Sequence, residues 1–195
     1  MRKIGAVILA AGSSSRFGRP KQLLEFQGET LIRRAFRAAQ TAKCDPIVVV
    51  VGETVDEICE ELGDTSARLI RNDESVRGLG TSIRCGVQEI AQSIKAVILL
   101  TCDQPLVDGD VIARLIAARK DTGKPIVASG YVNTLGIPAL FDQSRFEALL
   151  TLPDAAGAKS LLLSEGSDVA SIAFEDGAVD IDTPADFERL NKNTD

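Results

Sequence analysis

At 195 residues, with 45% hydrophobic and 26% charged residues, the chain has the composition of one globular domain and not of a disordered segment. A net charge of −6 argues against a general nucleic-acid binder, and no apolar run reaches the length of a membrane span. Histidine is absent, which removes histidine bases, Ser-His triads and histidine-ligated zinc and leaves an oxygen-ligated ion, Mg2+ or Mn2+, as the expected metal.

The first element is Lys3–Ala10, KIGAVILA, a Val/Ile-rich run that predicts a buried strand. It breaks into AGSSSRFGRPKQ, a Gly/Ser loop carrying Arg16, Arg19 and Lys21. A strand feeding such a loop suits a polyphosphate, because backbone N–H groups and cations can surround it. Gly12 and Gly18 are six apart and Arg-Pro separates Gly18 from Lys21, so the spacing is neither a P-loop nor G-x-G-x-x-G. Thr30 is placed to cap a helix in which Leu31, Ile32, Ala35, Phe36 and Ala39 recur at helical spacing. Residues 46–51 (PIVVVV) predict a second buried strand, 54–62 a helix and 67–71 a short strand.

Residues 80–92 read as a helix with Ile83, Val87, Ile90 and Ala91 as its apolar stripe. Residues 96–100 (AVILL) are the most hydrophobic strand and end at Thr101-Cys102-Asp103, followed by a helix at 111–119 and a strand at 125–129. Buried strands alternating with amphipathic helices predict an α/β sheet with helices on both faces. After Gly130 the pattern changes to short strands at 137–141, 169–172 and 179–181, interleaved with helices near 145–150 and 158–163, which reads as an added mixed-sheet region. Cys44, Cys59, Cys85 and Cys102 form no C-x-x-C pair and the N-terminus carries no cleavable leader pattern. Reduced thiols in a cytoplasmic protein are the expectation.

Asp103 falls just past the end of the strongest strand, where open parallel sheets bind ligands. Its carboxylate can hold Mg2+ against a nucleotide phosphate, and the structural alternative is a cap before Pro105. Asp182, in D-I-D-T-P-A-D, could complete that metal site or start a helix. Residues 72–83 run from a strand through a Gly-rich loop into a helix N-terminus, again suited to a polar ligand.

The block L-A-A-G-x-S-x-R-F-G-x-P-K-Q-L-L is carried by Leu9, Ala10, Ala11, Gly12, Ser14, Arg16, Phe17, Gly18, Pro20, Lys21, Gln22, Leu23 and Leu24. It resembles the signature of nucleotidyltransferases that move a nucleoside monophosphate from an NTP to an acceptor. Within them it looks most like the molybdenum cofactor cytidylyltransferases and their MobA-like relatives. The resemblance implies a three-layer Rossmann-like fold with a mostly parallel mixed sheet, as one domain over 1–195. Residues 1–130 would bind nucleotide and 131–195 the acceptor. Arg16, Lys21 and Asp103 inherit catalytic roles. Leu9, Ala10, Ala11, Gly12, Asn72, Gly78 and Ser82 inherit nucleotide contacts, and Asp103 and Asp182 the metal. Leu100 to Pro105 resembles the family's L-x-x-D-x-P, and residues 181–186 its I-D-T-P-x-D.

Residues 135–141 look like the family's G-x-P-x-L-F element near the acceptor, which assigns Pro138 there. Relatives often continue with G-D-x-G-A-R. Here Asp154-Ala155-Ala156-Gly157-Ala158-Lys159 is one residue longer, and Lys159 replaces Arg, keeping the charge but losing the bidentate fork. The function so implied is transfer of CMP from CTP to the terminal phosphate of molybdopterin or molybdenum cofactor, releasing pyrophosphate, with a molybdoenzyme as a further partner. A-A-G, where guanylyl-transferring relatives tend to have A-G-G, tips the base toward cytosine. An ionised acceptor phosphate needs no histidine base, which agrees with the composition. The alternatives are a cytidylyl- or uridylyltransferase acting on a sugar or alditol phosphate, and a non-catalytic molybdopterin-delivery protein.

Overall fold

The computed structural model describes residues 3–14 and 17–192, so Arg16 lies outside the described residues. Seven strands share one sheet: β1 (Lys3–Ala10), β2 (Ile47–Val51), β3 (Arg68–Arg71), β4 (Ile94–Thr101), β5 (Ile126–Tyr131), β6 (Thr134–Asp142) and β7 (Val169–Ala173). Their order is β3-β2-β1-β4-β6-β5-β7. Neighbours are parallel except at β6, which runs antiparallel to both β4 and β5. This is the expected α/β Rossmann-like fold with a mixed, largely parallel sheet. The chain winds outward from β1 to β3 and then returns to the far side of β1 as β4. That reversal opens a crevice beyond the carboxyl ends of β1 and β4, where such sheets bind ligands.

The helices are α1 (Leu31–Thr41), α2 (Val55–Leu62), α3 (Leu79–Ile90), α4 (Gly109–Thr122), α5 (Phe146–Leu150), α6 (Ala158–Ser164) and α7 (Pro184–Lys192). Helices α1, α2 and α4 cover one sheet face, with Ile32, Phe36, Ile58 and Leu115 packed among Ile8, Val49 and Ile98. Helices α3, α5 and α6 cover the other, with Ile83, Val87, Phe146 and Leu162 among Val7, Val50 and Leu99. Successive strand residues point to opposite faces, and both faces are covered, so these strands read as unbroken apolar runs. Thr30 caps α1 as predicted, its hydroxyl oxygen accepting from the Arg33 N–H at 3.3 Å. Among the described residues no helix is long and apolar enough to cross a membrane.

Three features differ from the sequence reading. Residues 134–142 form one longer strand that inserts between β4 and β5, because its apolar residues 139–141 are buried from both faces. Residues 179–181 form no strand. Ile181 is fully buried in a small third cluster with Leu24, Phe26, Leu31 and Leu190, and this packing draws the segment across the strand ends instead of into the sheet. Glu25–Phe26 and Glu29–Thr30 make an unpredicted short hairpin. Gln27 and Gly28 at its tip both take positive φ, the mark of a tight primed turn.

Candidate active site

The loop after β1 is closed by one side chain. Gln22 lies in a short 3-10 turn, Lys21–Leu23, and is 0% exposed. Its Nε2 donates to the carbonyls of Ala10 (2.8 Å) and Gly12 (2.9 Å), and its Oε1 accepts from Ser14 Oγ (3.1 Å). Ser14 Oγ in turn accepts from the Lys21 N–H at 3.0 Å. The sequence reading placed Gln22 in the motif without a role; its position beside Lys21 was the available signal. Gln22→Leu is expected to lower the unfolding free energy by about 2–4 kcal/mol, since two inward-facing carbonyls lose their donor. Urea denaturation measures this, and an unchanged midpoint would show that Gln22 does not close the loop.

Lys21 reaches from that turn to the carboxyl end of β4. Its Nζ donates to Asp103 Oδ2 (2.7 Å), Asp182 Oδ1 (3.2 Å) and the Ile181 carbonyl (3.1 Å). Asp103 arrives on the strand end. Asp182 is delivered by its own segment, whose Ile181 N–H donates to the Asp103 carbonyl at 2.9 Å. The Lys21 side chain is 13% exposed, Asp103 23% and Asp182 56%. Burial works against the ammonium, but the charge and hydrogen bond of Asp103, with help from Asp182, outweigh it, so the Lys21 pKa is raised. Burial pushes the neighbouring Cys102 thiol up to about 12, so it stays protonated. Asp180, which the sequence reading did not single out, is pushed up to about 6 by desolvation and by the charges of Asp103 and Asp182.

Leu9, Ala10, Ala11, Gly12, Lys21, Ser82 and Asp103, seven of the expected site residues, line one cleft of about 290 Å³. Asn72 sits behind it and is buried. Its Nδ2 donates to Thr81 Oγ1 and Ser82 Oγ, both at 2.9 Å, and its Oδ1 accepts from the Glu74 N–H at 3.0 Å. With every polar atom of the amide engaged internally, Asn72 holds the loop that presents Ser82. Gly78 has φ +133°, and a Cβ there would stand 2.4 Å from the Asp154 carbonyl. Glycine is therefore required by the approach of the 153–156 loop.

Pro138 and Lys159 do not line the cleft. Pro138 is buried, its carbonyl accepting from Ser129 Oγ at 2.7 Å, and Lys159 is exposed in the first turn of α6. Asp154 is engaged by Arg77 (2.5 Å) and Arg84 (2.6 Å). Gln104, a second buried glutamine that sequence reasoning passed over, donates to the carbonyls of Ile137 (3.2 Å) and Gly177 (2.8 Å). It ties the start of β6 to the Asp103 turn. A hydrogen-bonded glutamine has no sequence signature when both partners are distant carbonyls.

Among the described residues no three acidic, cysteine or histidine side chains stand together as a closed metal cage. Two carboxylates, Asp103 and Asp182, converge on one cation, the Lys21 ammonium. An all-oxygen pair of this kind fits Mg2+ or Mn2+, which commonly takes one or two protein carboxylates and completes its shell with phosphates and water.

A doubly wound sheet with a Gly/Ser loop and a lysine–carboxylate cluster at its switch point defines an α/β protein whose ligand cleft lies beyond the strand ends. The chain belongs to the family described as the MobA-like NTP transferase domain, whose match runs over residues 6–169. It is a nucleotidyltransferase of that superfamily acting on an NTP donor. It is 26% identical over 196 residues to a nicotine blue oxidoreductase of Paenarthrobacter nicotinovorans, covering 96% of each chain. It is 32% identical over 130 residues to the bifunctional protein GlmU of Sorangium cellulosum, across 63% of this chain but only 28% of that protein. The crystal structure of Rv0371c from Mycobacterium tuberculosis superposes with a TM-score of 0.83 at 27% identity, covering 97% of both chains. A complex of Rv0371C with manganese gives a TM-score of 0.79 at 25% identity, covering 97% of this chain and 98% of that one.

Proposed function

We propose that this chain transfers CMP from CTP to the phosphate of a sugar or alditol phosphate, with release of pyrophosphate. The observation that carries the transfer is the contact of Lys21 with Asp103 and Asp182, of which Lys21 and Asp103 line the cleft beneath the Gly/Ser loop. In this reading the Lys21 ammonium meets charge on the α-phosphate and the departing pyrophosphate once nucleotide is bound, with Arg16 as its partner from the same loop. Backbone groups of Ala10, Ala11 and Gly12 frame the nucleotide, and Ser82, held by Asn72, faces it from α3. The ionised acceptor phosphate attacks the α-phosphorus in line, so the residues act by positioning and charge neutralisation. Asp103 and Asp182 would hold Mg2+ or Mn2+, which when bound neutralises phosphate charge and orients the groups.

The acceptor reading is supported by what lies beyond Asp182. That residue borders a larger cavity of about 730 Å³, lined by Leu106, Asp176, Asp180, Asp186, Arg189 and Leu190 among others, in which Arg189 is ion-paired to Asp186 and leaves an excess of carboxylates. Carboxylates accept hydrogen bonds from hydroxyl groups and repel further phosphates, which suits a polyhydroxylated body carrying one phosphate. Molybdopterin is the second reading, favoured by the resemblance of the Leu9–Leu24 motif to the molybdenum cofactor cytidylyltransferases. The residues that the resemblance assigned to the acceptor, Pro138 and Lys159, line neither the cleft nor the larger cavity.

CTP is expected to be preferred over GTP by about 30- to 1,000-fold in kcat/KM. The Ala11 methyl borders both the cleft and an adjoining cavity of about 360 Å³, and it narrows the slot for a two-ring base. Pyrophosphate release with each NTP, against a panel of sugar phosphates, alditol phosphates and molybdopterin, tests donor and acceptor together. Preference for GTP would overturn the cytidylyl reading, and molybdopterin as the sole acceptor would overturn the sugar reading. Oxidoreduction of nicotine blue, and no pyrophosphate from any NTP, would overturn the transfer itself.

A further inference from the structure

We propose that Lys21 is the resident counter-ion of the metal site, so that a divalent cation must displace its ammonium from Asp103 and Asp182. This rests on the reading of those two carboxylates as the metal ligands. The ammonium has three donors, and all are used: Asp103 Oδ2 at 2.7 Å, Asp182 Oδ1 at 3.2 Å and the Ile181 carbonyl at 3.1 Å. A divalent ion bound to the same carboxylate pair would stand within a few ångströms of that charge. Like-charge repulsion at such a distance in a partly buried cleft is large, so one cation must leave.

The structure decides which group yields. Asp103 is fixed by the end of β4. Asp182 is fixed by the Ile181–Asp103 backbone hydrogen bond and by its own N–H donating to Asp186 Oδ2 at 3.3 Å. Lys21 has a fixed backbone, through the bond of its N–H to Ser14 Oγ, but a four-carbon stem that can swing. Its free end lies in the cleft that also holds Ala10, Ala11 and Gly12. The ammonium therefore has two places to go, the carboxylates without nucleotide and the phosphates with it. A triphosphate that takes up Lys21 uncovers the carboxylates, and cation and nucleotide then load together. Without nucleotide the lysine keeps the pair neutralised and the cation weakly bound.

The test reads metal affinity and not turnover. Mn2+ is titrated without nucleotide into the full-length protein and into Lys21→Met, Lys21→Met/Asp103→Asn and Lys124→Met, and free Mn2+ is followed by its electron paramagnetic resonance signal. Lys21→Met is expected to bind Mn2+ about tenfold or more tightly than the unmodified protein, because an uncompensated carboxylate pair is left behind. The double variant should lose that gain. Lys124→Met, which makes the same charge change at a partly exposed lysine bonded to the Ser167 carbonyl, should stay within about twofold of the unmodified protein. If Lys21→Met folds less stably, its melting temperature should rise more steeply with Mn2+ than that of the unmodified protein. Equal affinity and equal thermal shift, or a gain matched by Lys124→Met, would overturn the proposal while leaving the transfer reading untouched. A double variant that binds Mn2+ as tightly as Lys21→Met would instead refute the metal site itself.

Discussion

Asp103→Asn is expected to lower kcat by about two orders of magnitude or more, with the fold retained. The substitution keeps the shape of the side chain, and the Ile181 N–H to Asp103 carbonyl bond at 2.9 Å is made by the backbone and survives. What is lost is the charge that meets Lys21 at 2.7 Å and that would anchor Mg2+ or Mn2+. A metal contributes several kcal/mol of charge stabilisation in phosphoryl chemistry, and each 1.4 kcal/mol or so is about tenfold in rate. Single-turnover pyrophosphate release, with circular dichroism to verify folding, is the measurement. Full activity in the variant, or in the unmodified protein under excess chelator, would remove Asp103 from the metal site.

Lys21→Ala is expected to reduce kcat roughly 10²- to 10³-fold, the usual loss when one electrostatic donor to a developing charge is removed. The side chain also belongs to the fold, being 13% exposed and bonded to two carboxylates. Its removal leaves Asp103 and Asp182 facing each other without a counter-charge. A stability loss of about 1–2 kcal/mol is expected, discounted because Asp182 is more than half exposed and screened by solvent. Parallel measurement of turnover and urea midpoint separates the roles. Near-normal kcat in a destabilised protein would make Lys21 purely structural.

The parts of this protein that the sequence determined by itself are those written locally. KIGAVILA, PIVVVV and AVILL are apolar without alternation, so β1, β2 and β4 could be placed as fully buried strands. The Gly/Ser loop and Asp103 stood out because each follows such a strand directly, and Thr30 because a cap and its helix are neighbours in the chain. Tertiary structure alone decided the rest. Lys21 and Asp182 are 161 residues apart, and nothing in either neighbourhood specifies that they meet. They do so because Ile181 buries itself among Leu24, Phe26 and Leu190 and carries Asp182 to the end of β4. The same packing turned residues 179–181 away from a strand that their apolar character had suggested. Gln104 was silent for a related reason: a buried amide is satisfied by whichever distant carbonyls the fold brings to it. Hydrophobic periodicity and capping are interactions over a few residues. The pairing of a charge or an amide is chosen by the whole chain, after the helices and strands have packed.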